Sequence, residues 1–311
     1  YMLYFIVNEK SKSGNAKQIW KEIEEVLKVR NVSYQAFVSE YRGHAGKLAA
    51  EICAMDDNDI CLVAVGGDGT ANEVINGITD FEKVRFGVIQ TGSGNDLARG
   101  LSLSKDPKNG AIHILNAMKK SREDTWCMDL GEVNFGEKKR LFAISAGIGL
   151  DALVCKKALK STIKDILNKI RLGKLTYLVL TVQSLFTMQT ADAEIFFDRE
   201  EGLQKKRMIF TAAMNFKAEG GGVPMAPAAS ACDGKLSFCE AAGIPKWRTF
   251  LCLPFLVAAK HTSIHGFSVT DAKDCTIRLS RPMVVHADGE YCGEVTEVHF
   301  HCLPGKLRVL K

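Results

Sequence analysis

Long hydrophobic runs, paired cysteines and low-complexity tracts are all missing from this chain, and each absence removes a class of protein. The longest apolar stretch, Leu175 to Met188, is interrupted by Gln183 and Ser184. It falls short of the ~20 apolar residues that cross a bilayer, so it reads as a packed helix. There are ten cysteines in 311 residues and no CxxC pair, which argues against a disulfide framework and for free, mostly buried thiols in a reducing cytoplasm. Leu3 to Val7 is too short for a secretory leader and reads as a strand, and Tyr1 reads as a residue outside the natural start at Met2. Met2-Leu3 excludes myristoylation, and residues 304–311 contain no CaaX box. No GxxxxGK[ST] sequence occurs, which excludes a P-loop enzyme, and no GxSxG elbow occurs.

What remains is an ordinary core-forming composition, 46% apolar and 25% charged, long enough for about two domains. The formal net charge of +5 is weak as a nucleic-acid signal and suits an anionic substrate or membrane surface. Strand-like and helix-like segments alternate through the first part: strands at 3–8, 33–39, 60–65 and 85–90, helices at 16–28, 44–54 and 70–77, and short helices near Leu97 and Ala111. This alternation predicts a parallel sheet with helices on both faces, a Rossmann-like α/β domain over 1–125. Beyond Thr125 strand follows strand, at 127–134, 140–145, 193–198, 207–215, 235–241, 276–279, 283–287 and 296–301. Such a run predicts a mostly antiparallel β-sandwich over 126–299, with a helical insert at about 152–188. A last strand at about 300–311 is expected to return to the first domain.

The strongest chemical signal is Gly66-Gly67-Asp68-Gly69-Thr70, between a buried strand and a helix. Three glycines let the backbone turn sharply and let a ligand approach closely. Thr70 with Glu73 predicts a capping box, and the amides of the helix start make an anion site. A bare carboxylate at Asp68 would repel phosphate unless a divalent cation bridges the two; a surface acid in a tight turn is the alternative. A second loop, Thr91-Gly92-Ser93-Gly94-Asn95-Asp96-Leu97-Ala98-Arg99, follows the next strand and places an Arg one helical turn after an acid, where it can neutralise transferring phosphate charge. By itself that pattern is weak. A third, basic loop, Asn8-Glu9-Lys10-Ser11-Lys12-Ser13-Gly14, follows the first strand. Ligands of such sheets bind at the carboxyl ends of the strands, where all three loops lie.

GGDGTANE at 66–73 followed by GSGNDLAR at 92–99 resembles the diacylglycerol kinase catalytic domain, in particular the soluble bacterial lipid kinases related to sphingosine and ceramide kinases. Further blocks extend the resemblance nearly end to end: NEKSKSG at 8–14, SEYRGHA at 39–45, MDLG at 128–131, GIGLDALV at 147–154, GGGVPMAPAASACDGKL at 220–236 and ADGE at 287–290. The resemblance implies an NAD kinase-like fold and an ATP-dependent enzyme that phosphorylates a lipid alcohol with Mg2+. It places ATP against Asn8, Glu9, Lys10, Ser11, Lys12, Ser39, Gly66, Gly67, Asp68, Gly69, Thr70, Ala71, Asn72 and Ser93. It makes Glu290 the general base, puts Asp68, Asp96, Arg99 and Asp129 at polar catalytic positions, and puts a magnesium site of structural character at Ser230, Asp233 and Lys235. The chain departs from the family at Glu9, where Pro is usual, at Lys12, where Gly is usual, at Asn15, where a basic residue is common, and at Ser39 and Ser93, where Thr is usual. Glu9 sets negative charge beside a triphosphate.

An alcohol needs a base to take its proton, and a carboxylate in reach contributes ~10²–10⁴-fold. Asp288-Gly289 before Glu290 also reads simply as a hairpin turn. His261 and His265, at i, i+4 spacing, lack a third ligand nearby; His299 and His301 share a strand face; Cys155 and Cys275 have no visible activating partner. The segment 152–174 combines Leu159, Ile163, Ile166, Leu167 and Ile170 with Lys156, Lys157, Lys160, Lys164, Lys169, Arg171 and Lys174. It fits either an amphipathic helix on an anionic membrane or a core helix with a solvated basic face. The expected protein is a cytoplasmic kinase peripheral at the inner membrane face, with no nucleic-acid partner and with homodimerisation left open. An NAD kinase and a non-catalytic nucleotide-binding regulator are the competing readings.

Overall fold

The computed structural model describes residues 2–11, 16–92, 94–160, 173–198 and 201–311. Two compact units emerge: 1–129 with 304–311, and 130–303.

The first unit is a parallel α/β sheet. Strands β1 (Met2–Val7), β2 (Gln35–Val38), β3 (Ile60–Gly66) and β4 (Val84–Gln90) lie in the order β4-β3-β1-β2, all parallel. The end of the last strand, β14 (Glu290–Val309), joins alongside β4, with Arg308 opposite Arg85 and Val309 opposite Phe86. Every residue of β3 is buried, as expected of a strand covered on both faces. The covering helices are α1 (Ala16–Val29), α2 (His44–Cys53), α3 (Asp68–Gly77), α4 (Asp96–Gly100) and α5 (Pro107–Ala117). Helix α1 buries Ala16, Trp20, Ile23 and Leu27, a stripe at helical spacing, and Trp20 meets Phe5 with ring centroids 5.1 Å apart.

One charge in this core is structural. Arg85 is almost fully buried on β4, and its guanidinium binds both carboxylate oxygens of Asp59, at 3.0 and 2.7 Å. It also donates to the carbonyls of Met118 and Lys120, just past α5, at 3.2 Å each. The planar fork satisfies a buried cation with four acceptors and ties β4 to the end of α5.

The second unit is an antiparallel β-sandwich. Strand β13 (Asp274–Ala287) is shared by two neighbours: its first half pairs with β8 (Ala191–Phe197) and its second with β7 (Ser145–Gly149). The register against β14 shifts between Arg278 and Met283, where Pro282 has no amide to give the ladder. The sheet continues from β7 through β10 (Phe210–Met214), β11 (Leu236–Ala241) and β12 (Phe267–Ala272), while β9 (Leu203–Met208) flanks β8. Strand β5 (Trp126–Phe135) forms a hairpin with β6 (Lys138–Phe142). Among the described residues, this unit also carries the α-helices α6 (Leu150–Lys160), α7 (Gly173–Thr187) and α8 (Lys246–Val257) and a 3-10 turn at His261–Ser263.

The fold class expected from the sequence is the one observed. Several local expectations are corrected. The strand expected over 207–215 is split between β9 and β10 at Ile209, and those at 296–301 and about 300–311 are the one strand β14. The strand expected over 140–145 is two strands, β6 and β7, because Ala143 and Ile144 leave the ladder. The two short strands at 276–279 and 283–287 are one long strand. Helix α3 begins at Asp68, with Gly67 at its N-cap and no side-chain cap, so Thr70 and Glu73 form no capping box. Their side chains hold neighbouring segments instead: Asn8 Nδ2 donates to Thr70 Oγ1 at 3.0 Å, and the Gly43 amide donates to Glu73 Oε1 at 2.8 Å.

Candidate active site

Three loops meet at the carboxyl ends of β1, β3 and β4. The Asn8 amide donates to Val65 O at 2.9 Å and the Thr91 amide to Gly66 O at 2.8 Å, so each loop continues the register of the sheet. Ser11 and Thr91 share a hydroxyl–hydroxyl hydrogen bond. The two glycine loops touch backbone to backbone: a Cβ on Gly92 would stand 2.8 Å from Gly67 Cα, a closeness only glycine allows.

Asp68 is the clasp between these loops. Its Oδ2 accepts from the Asp96 amide at 3.0 Å and its Oδ1 from the Leu97 amide at 3.1 Å. Burial raises its pKa, and the amides of Asp96, Leu97 and Asn95 with the Arg99 cation oppose that rise. Arg99 is ion-paired with Asp96 and donates to Gly94 O at 2.9 Å. Asn95 adopts the left-handed conformation at φ 54° and donates from Nδ2 to Gly92 O at 2.8 Å, which closes the turn that aims the amides of α4 at Asp68. The first-turn amides of α3 have no intrahelical acceptors, so this corner presents positive potential to an anion. The Asp68 carboxylate is a hard-oxygen donor of the kind that fits Mg2+.

The remaining expected nucleotide contacts that the structure describes lie just after β1, just after β2 and in α3. Lys10 donates from Nζ to Glu40 O at 2.7 Å, and its amide donates to Asn8 Oδ1 at 3.2 Å. Ser39 is buried beside β1, with its amide 2.9 Å from Val7 O. Asn72 is buried within α3. Glu9 sits in the same turn, while Lys12, Ser93 and the departure at Asn15 lie outside the described residues. Asp129, on β5, is buried and accepts from the Gly305 amide at 2.7 Å; it anchors the returning end of β14.

Four expected site residues belong to the second unit. Glu290 opens β14 after the turn Asp288-Gly289, where φ is 47° and 81°. Asp288 fixes that turn: its carboxylate accepts from the amides of Ala143, Ile144 and Ser145 at 2.8, 2.8 and 3.0 Å. Ser230, Asp233 and Lys235 follow one another on the loop before β11. Asp233 Oδ1 accepts from the Lys235 amide at 3.1 Å, and Ser230 Oγ lies 3.5 Å from Cys232 Sγ. A carboxylate, a hydroxyl and loop carbonyls are again the hard donors that Mg2+ takes.

One cluster was not anticipated from the sequence. Among the described residues, Asp151, Glu219 and His286 bring ligand atoms within 4.8 Å of one another. His286 Nε2 is 3.2 Å from Asp151 Oδ2, the Gly289 amide donates to Nδ1 at 3.2 Å, and Ser145 Oγ donates to Glu219. Burial lowers the His286 pKa, but Asp151, Glu219 and Asp288 outweigh it and the net direction is up. Gly147 permits the pair, since a Cβ there would stand 1.8 Å from Asp151 Oδ2. Gly147 and Asp151 both stand in GIGLDALV and His286 adjoins ADGE, but nothing in their spacing says that the segments meet. The histidine pairs seen in the sequence do other work. His261 is buried, its Nε2 2.9 Å from Met225 O, and desolvation lowers its pKa. His299 and His301 both lie against Asp274, at 3.3 and 2.6 Å.

Comparison with known proteins bears on both units. Residues 2–128 match the family described as the diacylglycerol kinase catalytic domain, and residues 145–311 match the YegS C-terminal NAD kinase beta sandwich-like domain. YtlR of Bacillus subtilis (strain 168), provisionally named a lipid kinase, is 29% identical over 311 residues, covering 98% of each chain. A crystal structure of a provisionally named diacylglycerol kinase from Bacillus anthracis str. Sterne has a TM-score of 0.78 over 99% of this chain and 96% of that one, at 21% identity. An NAD kinase from Archaeoglobus fulgidus in complex with ATP has a TM-score of 0.54 over 100% and 94%, at 13% identity. At these identities the two structures establish likeness of fold.

Proposed function

Because this chain belongs to the diacylglycerol kinase family, we propose that it transfers the γ-phosphate of ATP to the hydroxyl of a lipid alcohol, diacylglycerol or a close relative. The observation that carries this reading is the pair of glycine loops clasped through Asp68 in the unit that matches the catalytic domain. Asn8, Glu9, Lys10, Ser11, Lys12, Ser39, Gly66 to Asn72 and Ser93 are the residues proposed to cradle the nucleotide.

In the proposed mechanism the lipid oxygen attacks the γ-phosphorus as the bond to the β–γ bridging oxygen breaks and ADP departs. Glu290 takes the proton released by the alcohol. Arg99 and the first-turn amides of α3 hold the phosphate oxygens as charge spreads over them. Asp68 and Asp96 orient Arg99 and the loop amides before reaction, so little reorganisation remains at the moment of transfer. Mg2+ would be held by Asp68 beside the phosphates and, in a structural role, by Ser230, Asp233 and the Lys235 carbonyl; bound there it supplies charge neutralisation. Asp129 serves the site through the backbone it anchors.

A lipid acceptor requires contact with a membrane, and no helix among the described residues is long and apolar enough to cross one. As part of the same proposal, we assign catalysis to the inner face of an anionic membrane. The deciding experiment is transfer of radiolabelled phosphate from ATP to a panel of lipids in mixed micelles, with NAD alongside. The labelled phosphate ester of diacylglycerol or of a similar lipid alcohol is the expected product. Labelled NAD alone would make the protein an NAD kinase, and binding of ATP with no labelled product would make it a regulator.

A further inference from the structure

Helix α8 turns the wrong side to water. Its buried residues, Thr249, Cys252 and Leu256, occupy one narrow stripe. The opposite half of the helix carries Trp247, Phe250, Leu251, Pro254, Phe255 and Val257, all exposed, with Arg248 the one charge among them. Trp247 is 60% exposed, Leu251 57% and Val257 65%. A surface helix ordinarily turns charged and polar residues outward, and apolar patches of this extent on soluble proteins mark interaction sites.

The patch runs on to α7. Phe186, at the end of α7, is exposed and packs on Phe250 with ring centroids 6.0 Å apart. Lys246 donates from Nζ to the carbonyls of Phe186 and Met188, which ties the start of α8 to the end of α7. Leu178 and Val179 of α7 are exposed as well.

Charge identifies the occupant. No Asp or Glu occurs anywhere in 241–270 or in 166–191, whereas Lys246, Arg248 and Lys260 flank the apolar face of α8. An apolar face with a tryptophan and a basic border, free of carboxylates, matches the boundary between acyl chains and anionic headgroups. We propose that the outward face of α8, with the adjoining end of α7, is the surface by which this protein binds an anionic phospholipid bilayer. The proposal deepens the lipid-kinase reading and takes from it the choice of a bilayer as partner. It leaves aside the basic segment 152–174, which the sequence leaves open between an amphipathic membrane helix and a core helix with a solvated basic face. Lys156 there is ion-paired with Glu294, and Lys157 donates to Thr187 at 3.1 Å; residues 161–172 lie outside the described residues.

The test uses the full chain and vesicles of phosphatidylglycerol and phosphatidylcholine. Wild type should co-sediment with them, less at high salt, and Trp247 emission should shift to the blue on binding. Trp247→Phe should remove that shift, since Trp20 is buried and Trp126 is half-buried in the other unit. Leu251→Gln with Phe255→Gln should weaken vesicle partitioning by about tenfold or more, with circular dichroism and melting unchanged because both side chains are exposed. Co-sedimentation of that variant at the wild-type level would overturn the proposal. So would a wild-type dimer that the variant converts to monomer while vesicle binding is unaltered. Phosphorylation of a short-chain, water-soluble acceptor is assayed in parallel. Loss of vesicle binding in the variant with no turnover by wild type would leave the docking surface standing and the kinase reading refuted.

Discussion

Glu290 is the residue on which the proposed chemistry turns. Glu290→Gln keeps the shape of the side chain and removes its capacity to accept a proton. Phosphoryl transfer should fall by ~10²-fold or more while ATP affinity stays near that of wild type; calorimetric ATP binding beside single-turnover kinetics separates the two. A variant that lost only affinity would move Glu290 to a binding role. The cysteines give a second expectation at this scale. Burial pushes Cys61 up to about 12 and Cys292 up to about 11, and raises Cys239 and Cys275 as well. At pH 8 a thiol with a pKa near 11 is thiolate in only about one molecule in a thousand, so these four should resist a thiol reagent in the native protein. Cys232, the exposed cysteine, should label first, and Cys232→Ser should abolish the fast phase. Labelling of all ten at one rate would mean that the buried thiols open freely to solvent.

Two elements, α2 and α3, pack more closely than side chains allow. A Cβ on Gly77 would lie 2.1 Å from Gly46 O, and a Cβ on Gly46 would lie 2.9 Å from Glu73 O. This approach lets Glu73 reach the Gly43 amide and so couples the helix after the glycine loop to the segment carrying Ser39. Gly77→Ala should destabilise by about 1–3 kcal/mol through overpacking. Gly110, inside α5, has its nearest neighbour 3.8 Å from a built Cβ, so Gly110→Ala should stabilise by about 0.5–1 kcal/mol. Urea unfolding of the two variants beside wild type checks both signs; a stabilising Gly77→Ala would show that the two helices can slide apart at no cost. The elements also mark how far periodicity carries. Strands β1 and β3 are continuous apolar runs and declare themselves, and β4 does so despite the buried Arg85 within it. Helix α8 does not, because a helix apolar on its outward side shows no alternation of faces to read.

For the whole molecule, binding to the native state alone must raise stability by mass action. At a hundredfold excess of ATP·Mg2+ over its dissociation constant the gain is about 2.7 kcal/mol. Calorimetry should show the midpoint rise with nucleotide concentration. If the two units melt separately, the transition that moves should be that of the α/β unit, which holds the three loops. A shift confined to the β-sandwich transition would place the nucleotide elsewhere.

The order of strands and helices, the change from alternation to consecutive strands, and the glycine loops were written in the sequence, because each depends on residues close together along the chain. Spacing shows which side chains share a face and where the backbone must turn. It could not show that Asp68 closes on the amides of Asp96 and Leu97, that Asp288 holds residues 143–145, or that Asp151 and Glu219 gather at His286. Those partners stand 28 to 145 residues apart or come from three separate segments. Their meeting is set by strand register and core packing, which a one-dimensional pattern does not contain. Exposure is decided in the same way: Trp247, Leu251 and Phe255 look like core in the sequence, and only the packing of α8 on Thr249, Cys252 and Leu256 leaves them facing outward.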